Sequence, residues 1–246
     1  MKIVVFDIWG DLAHFRVPYT TSSPLTFPVP PKTALYGIIG AILGYDKNNY
    51  LKKFQNENWK FAVSVKNKIS TIRIPENLIN TKAVKMFARM PKGKSCRTQI
   101  NFEFIKNPYF RIYVTSLNET KLNELETLLK EHKSNYTVSF GISECLANFL
   151  YIGSYEAQEK QNDNFVEINT IVPLKYINNS SQINFLIEGR KYLRIHMPTE
   201  MKPDRELVES EDFILEANAN PISVKSIEYL KLNNLKENRE ENIIMF

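Results

Sequence analysis

KTALYGIIGAILG, residues 32–44, decides how the chain is read. The run is apolar with a helical period, and Pro31 just before it suits a first helical position. Gly37, Gly40 and Gly44 recur at spacings of three and four and so share one face. A helical glycine costs about 1 kcal/mol relative to alanine, so three of them imply close packing on a sheet or access for a ligand. Outward on the N-terminal side, Lys2–Trp9 (KIVVFDIW) is a β-branched and aromatic run that predicts a strand closed by Gly10. Between them, prolines at 18, 24, 28, 30 and 31 predict an extended loop. On the C-terminal side, Trp59–Val65 and Phe110–Thr115 predict strands. Glu119–His132 predicts an amphipathic helix with Leu122, Leu125, Leu128 and Leu129 inward, and Phe149–Ile152 a further strand.

The order strand, helix, strand, strand, helix, strand is that of a split βαβ, ferredoxin-like unit, which is also the frame of RNA-recognition domains. The fold class read from the sequence is therefore α+β, with a first domain over residues 1–155. Residues 156–246 predict a smaller, mostly β region. Phe165–Val172, Gln182–Leu186 and Tyr192–His196 are its strand-like runs, the acidic stretch Asp204–Glu216 is placed at the surface, and a polar tail runs over Asn233–Asn242. Fold alone fixes no function.

With 43% hydrophobic and 24% charged residues, the 246-residue chain reads as a globular, cytoplasmic protein without a membrane span. Cys96 and Cys145 stand alone, without CxxC spacing or a histidine cluster, which points to free thiols and to no metal or other cofactor. The net charge of +5 hides a division. Residues 1–116 hold 18 Lys+Arg against 6 Asp+Glu, whereas residues 117–246 hold 14 against 21. A basic half predicts a polyanionic ligand there, and an acidic half leaves surface for protein contacts.

The binding chemistry concentrates in Lys82–Arg111, KAVKMFARMPKGKSCRTQINFEFIKNPYFR, where eight cations face the single acid Glu103. Phe87, Phe102, Phe104, Tyr109 and Phe110 are interleaved with them. Cations release counterions from phosphates and aromatic faces stack on unpaired bases, a combination suited to single-stranded RNA. Pro91–Lys94 predicts a turn, and its flanks predict a projecting β-hairpin with Arg89, Lys92, Lys94 and Arg97 as RNA contacts. Phe102 and Phe104 are expected in the core. A second contact set is read at the start of the glycine-rich helix. First-turn amides lack intrahelical acceptors, so those of Lys32, Thr33 and Ala34, with the Lys32 amine, the Thr33 hydroxyl and Arg16 from the far end of the loop, could hold a phosphate.

Three stretches carry a family resemblance. Gly10–Gly44, with its Phe-Arg, its Thr and Pro loop and its Pro-Pro-x-Thr-Ala-x-x-Gly-x-x-Gly helix start, resembles the N-terminal signature of the fifth CRISPR-associated family of the RAMP superfamily. Arg97–Val114 (RTQINFEFIKNPYFRIYV) is similar to a stretch found in members from subtype I-B systems. Tyr136–Gly153 (YTVSFGISECLANFLYIG) is similar to the family's Gly-x-Ser-Glu turn, with Phe140 where leucine usually stands. The resemblance implies a ferredoxin-like domain with a thumb and a smaller C-terminal β domain, placed at the foot of the Cascade complex. It implies partners too: the 5′ handle of the guide RNA (crRNA), the adjacent backbone subunit and the large PAM-reading subunit, with target DNA met only indirectly.

The resemblance also raises a second function, because the related subunit of subtype I-C cleaves precursor guide RNA without metal. Such chemistry needs a general acid or base and a cation at the phosphorane. His14 is the best candidate of the three histidines; His132 ends a helix, where an exposed cation is favourable, and His196 sits in a strand-like run. The expectation is a non-catalytic subunit, since subtype I-B systems use a separate endonuclease. Asp7 and Asp11 read as a strand and a turn feature, not a magnesium site. A ferredoxin-like RNA-binding protein outside CRISPR systems would explain the charge but not three motifs in order.

Overall fold

The computed structural model describes residues 1–246 apart from Thr21, residues 80–95 and residues 234–239. The first element is β1 (Lys2–Trp9), as its β-branched run predicts, followed by the two-residue β2 (Leu12–Ala13). Helix α1 spans Lys32–Leu43 and α2 Tyr50–Asn56. Strands β3 (Lys60–Val65), β4 (Thr71–Ile79), β5 (Arg97–Lys106) and β6 (Tyr109–Thr115) come next, then α3 (Glu119–Lys130) and β7 (Asn148–Glu156). The chain is thus α+β and built from several small antiparallel sheets.

The main sheet has the order β3-β6-β1-β7, every neighbouring pair antiparallel. Alternation along β1 divides its side chains between two faces. Val4, Phe6 and Ile8 join Leu35, Ile39 and Ile42 of α1 and Leu122, Leu125 and Leu129 of α3 in the largest core cluster. Ile3 and Val5 point the other way, where they meet Leu232, Ile243 and Met245 from the end of the chain. The C-terminal segment therefore covers one end of the face opposite α1 and α3. Phe246 completes the attachment by exchanging backbone hydrogen bonds with Phe61 at 3.1 and 2.8 Å.

Pro31, expected at the first helical position, instead immediately precedes α1 with φ −65° and ψ 161°. The helix stops at Gly44, whose φ of 75° suits glycine; a Cβ there would lie 2.9 Å from the Asn135 side chain. The glycine face does not pack on a sheet: Gly40 lies against the Phe54 ring of α2, and Gly37 faces open space. The proline loop is more regular than expected. Phe27 N–H donates to Phe15 O at 2.8 Å and Val17 N–H to Leu25 O at 2.9 Å, with a bridge between Arg16 and Thr26.

Beyond residue 156 lie β8 (Gln158–Asn162), β9 (Val166–Ile168), β10 (Val172–Pro173), β11 (Tyr192–Met201), β12 (Leu207–Glu216), β13 (Ile222–Val224), β14 (Ile227–Leu232) and β15 (Glu241–Ile243). The region is mostly β, yet three local readings are corrected. Gln182–Leu186 is no strand, because a 3-10 turn over Ser180–Gln182 leads into a lone bridge from Ile183 to Val224. The acidic stretch Asp204–Glu216 is largely β12, and Phe213, Ile214 and Leu215 are buried in it. Its acids are matched locally: Asp212 meets Arg194 at 2.6 Å and His196 at 3.0 Å, and Glu216 accepts from the amides of Lys191, Asn218 and Asn220. The polar tail ends in β15, where Glu241 is buried. Ile171, Met197, Phe213, Leu215 and Phe246 lie in the same core cluster as α1, so the hydrophobic interior is continuous across residue 155.

Candidate nucleic-acid interface

The basic segment is built on a long two-stranded arm. β5 pairs antiparallel with β4 from Thr71 opposite Ile105 to Ile79 opposite Arg97, about 27 Å at strand rise. The partner strand reads TIRIPENLI. At the base of the arm Phe104 and Ile105 are buried, while Arg97, Thr98, Gln99 and most of β4 are exposed. Ile72, Leu78 and Ile79 show 43, 40 and 53% of their surface. An arm exposed on both faces projects from its sheet. The chain joining its two strands, residues 80–95, carries five Lys or Arg and no Asp or Glu. Arg89, Lys92, Lys94 and the expected Pro91–Lys94 turn lie outside the described residues; Arg97 stands at the first, exposed position of β5.

Glu103 ties the proline loop to this arm. Its amide donates to Pro24 O at 3.0 Å, its carboxylate accepts from Thr26 N–H at 3.2 Å, and its carbonyl oxygen lies 2.7 Å from His14 Nδ1. Arg16, bridged to Thr26, is thereby held exposed beside β5. Thr26 Oγ1 accepts from Phe15 N–H and donates to Phe27 O, each at 2.9 Å, which stiffens the loop further. The turn of the third motif closes against the same point. Gly141 has φ 89°, and a Cβ there would sit 2.0 Å from His14 O, so glycine is required.

Lys32 and Thr33, both half-buried, begin α1. The Ala34 amide is not available to a phosphate as expected, because it donates to Pro31 O at 2.9 Å, as Leu35 does at 3.0 Å. Burial lowers the Lys32 pKa, and its charged neighbours are Glu200, Glu209, Glu211 and Lys175 of the C-terminal region. Arg16 and Lys32 are thus set against different elements, β5 for the one and the β11–β12 pair for the other. The carboxylates near Lys32 compete with any anion for its charge.

His14 is 1% exposed and packs beside the stacked Phe102 and Phe104 rings, at centroid distances of 5.2 and 5.5 Å. Burial lowers its pKa, so the ring is neutral near pH 7. A carbonyl can only accept, so the Nδ1 facing Glu103 O carries the proton and the bare Nε2 is the buried nitrogen, without a partner among the described residues. His132 stacks on Phe149 at 4.8 Å, and His196 pairs with Asp212. Among the described residues no group of three or more His, Cys, Asp or Glu is placed to hold a metal. Cys96 and Cys145 are free and buried, and burial raises the Cys145 thiol to about 11.

Arg111, counted among the basic residues, is buried and engaged within the fold. It holds Asp7 through Nε–Oδ1 at 2.7 Å and NH2–Oδ2 at 3.1 Å, and Glu241 Oε1 through NH1 at 2.9 Å. Tyr109 donates to Asp7 at 2.9 Å and Tyr113 to Glu241. The Asn-Pro-x-x-Arg-Ile-Tyr motif therefore builds a buried ion cluster that clamps the C-terminal segment to the sheet. Asp7 belongs to it, as a strand feature.

No curated protein matches the sequence. Among solved structures, the chain is similar to a CRISPR protein from Archaeoglobus fulgidus, at 12% identity and TM-score 0.49 over 95% of this chain and 96% of that one. It is similar to a chain of a CRISPR RNA-guided surveillance complex at 12% identity and TM-score 0.48, over 91% of each. A chain of the type III-B Cmr-beta complex bound to cognate target RNA and AMPPnP gives 11% and 0.48, over 91% of this chain and 86% of that one. The model of the family described as CRISPR-associated protein (Cas_Cas5) matches residues 3–178. That match takes in all three motifs and most of the chain, which belongs to the Cas5 family of CRISPR-associated proteins.

Proposed function

We propose that this protein is the non-catalytic guide-RNA-binding subunit of a type I CRISPR Cascade complex of subtype I-B character, acting in antiviral defence in the cytoplasm. In this role it caps the crRNA 5′ handle and contacts the backbone subunit and the large PAM-reading subunit. The observation that carries the reading is the β4–β5 arm, exposed on both faces and joined through a segment of five cations and no acid. Such an arm can lie across a single strand and neutralise its phosphates. The strand order β3-β6-β1-β7, with α1 and α3 on one face, is the order a split βαβ unit generates, and it supports the ferredoxin-like reading.

Cleavage of precursor guide RNA is the competing reading, and the burial of His14 speaks against it. The test uses purified protein and repeat RNA, with and without chelator. The RNA should stay intact, and specific cleavage by the wild-type protein that persists with chelator would replace the capping role by a nuclease. Capping itself is read from Arg16→Ala combined with Thr33→Val. The double variant should lose handle-bearing RNA far more than handle-free RNA, and equal losses would mean that the loop supplies general electrostatics only.

A further inference from the structure

Among the described residues, the C-terminal segment covers one end of the sheet face opposite α1 and α3, and the other end is an open cleft of about 380 Å³. Trp9 of β1 and Tyr109 of β6 are cross-strand partners there, with ring centroids 6.1 Å apart at an interplanar angle of 60°. Leu150 of β7 is opposite Asp7, two residues from Trp9 on the same face, and is 53% exposed. The hydroxyl of Tyr109 is bonded to Asp7 within the ion cluster, so the ring is held in place. The rim is polar: Asp11, Asn67 and Asn107 line it. Asp11 is the one charged residue among them; Lys66, next to Asn67 in the chain, pairs with Glu241 at 3.8 Å.

We infer that this cleft takes a single unpaired nucleobase of the bound RNA, resting on the indole of Trp9 with its edge toward Asp11, Asn67 and Asn107. The proposal rests on the RNA-binding reading above and adds a place at which a base is held. Two aromatic rings and a leucine provide an apolar surface of the kind bases stack on. Amides and a carboxylate at the rim offer donors and acceptors for a base edge, the carboxylate favouring a base with an exocyclic amino group. Cleft and arm adjoin, because Lys106 ends β5 and Asn107–Pro108 leads directly into β6. One strand of RNA crossing the arm would reach both.

The test is titration of repeat-derived single-stranded RNA into the full-length protein, followed by tryptophan emission and by anisotropy. Trp59 is 1% exposed, so quenching by a stacked base reports Trp9. Wild type should quench. Trp9→Leu should lose the quenching and bind about 5- to 150-fold more weakly with an unchanged salt slope. Leu150→Glu, a change at an exposed position that cannot unfold the core, should weaken binding as well. The Lys92, Lys94 and Arg97 to alanine triple variant should still quench at saturating RNA. Affinities within twofold of wild type for both cleft variants, with a loss in the triple variant, would overturn the cleft and leave the arm standing. Loss in the cleft variants alone would support the cleft and remove the arm.

Discussion

His14 and Glu103 join the proline loop to the projecting arm, the imidazole Nδ1 lying 2.7 Å from the carbonyl oxygen of a strand residue 89 positions away. The same glutamate carboxylate accepts from the Thr26 amide, so it fixes the loop that carries Arg16. Glu103→Ala removes only the carboxylate contact, worth about 1–2 kcal/mol as a charge-assisted hydrogen bond. The variant should fold, lose about that much stability in urea, and bind handle-bearing RNA more weakly through a less ordered Arg16. An unchanged denaturation midpoint would show that the contact contributes nothing.

His14→Ala should destabilise by about 3–5 kcal/mol, as for a buried aromatic cut back to alanine. Its folded pKa lies below the ordinary value, so the fold favours the neutral ring. The stability this group contributes is fully present above about pH 6.5 and is lost as the pH falls below that, because the unfolded chain takes up the proton first. Urea unfolding at pH 7.5 and 5.5 should show wild type losing more stability on acidification than His14→Phe. Equal losses would contradict the buried, neutral ring.

Arg111→Met should cost about 3–5 kcal/mol, because Asp7 and Glu241 would remain buried without their cation. RNA affinity, measured where the variant is still folded, should stay within twofold. A large loss of RNA binding at full folding would return Arg111 to the interface.

Glu126 gives a second acid-sensitive element. Burial would raise its pKa, but hydrogen bonds from Lys130, Lys2 and Tyr151 outweigh that and hold it at about 2. Its contribution is present above about pH 4.5 and is lost as the pH falls toward 2. Because Lys2 and Lys130 are partly exposed, about 1–2 kcal/mol is expected. Glu126→Gln should therefore be less stable than wild type at pH 7 and converge with it near pH 2; a constant gap would show that its charge is not the cause.

Legibility followed the strength of local pattern. β1, α1 and α3 are long apolar or amphipathic runs bounded by glycine or by a cap such as Asn118, whose side chain accepts from Lys121 N–H, and they stand within a few residues of where periodicity put them. β4 was hidden because an arm exposed on both faces needs no alternation and tolerates Pro75. β12 was hidden because its acids are matched by cross-strand cations and backbone amides that only the fold brings near. The role of Arg111 depends on Glu241, 130 residues away, and no local window contains both. Trp9 and Tyr109 were read as a strand end and as one aromatic among many; their pairing needed the register of β1 on β6.

Equilibrium binding of repeat-derived single-stranded RNA across a salt series, for wild type and for the variant with Lys92, Lys94 and Arg97 all changed to alanine, tests the central claim most directly. Each phosphate contact on a single strand contributes about 0.7 to the slope of log affinity against log salt. The account predicts weaker binding and a slope shallower by about 2 in the variant. The same affinity and the same slope in both proteins would contradict the assignment of the arm as the RNA-binding element.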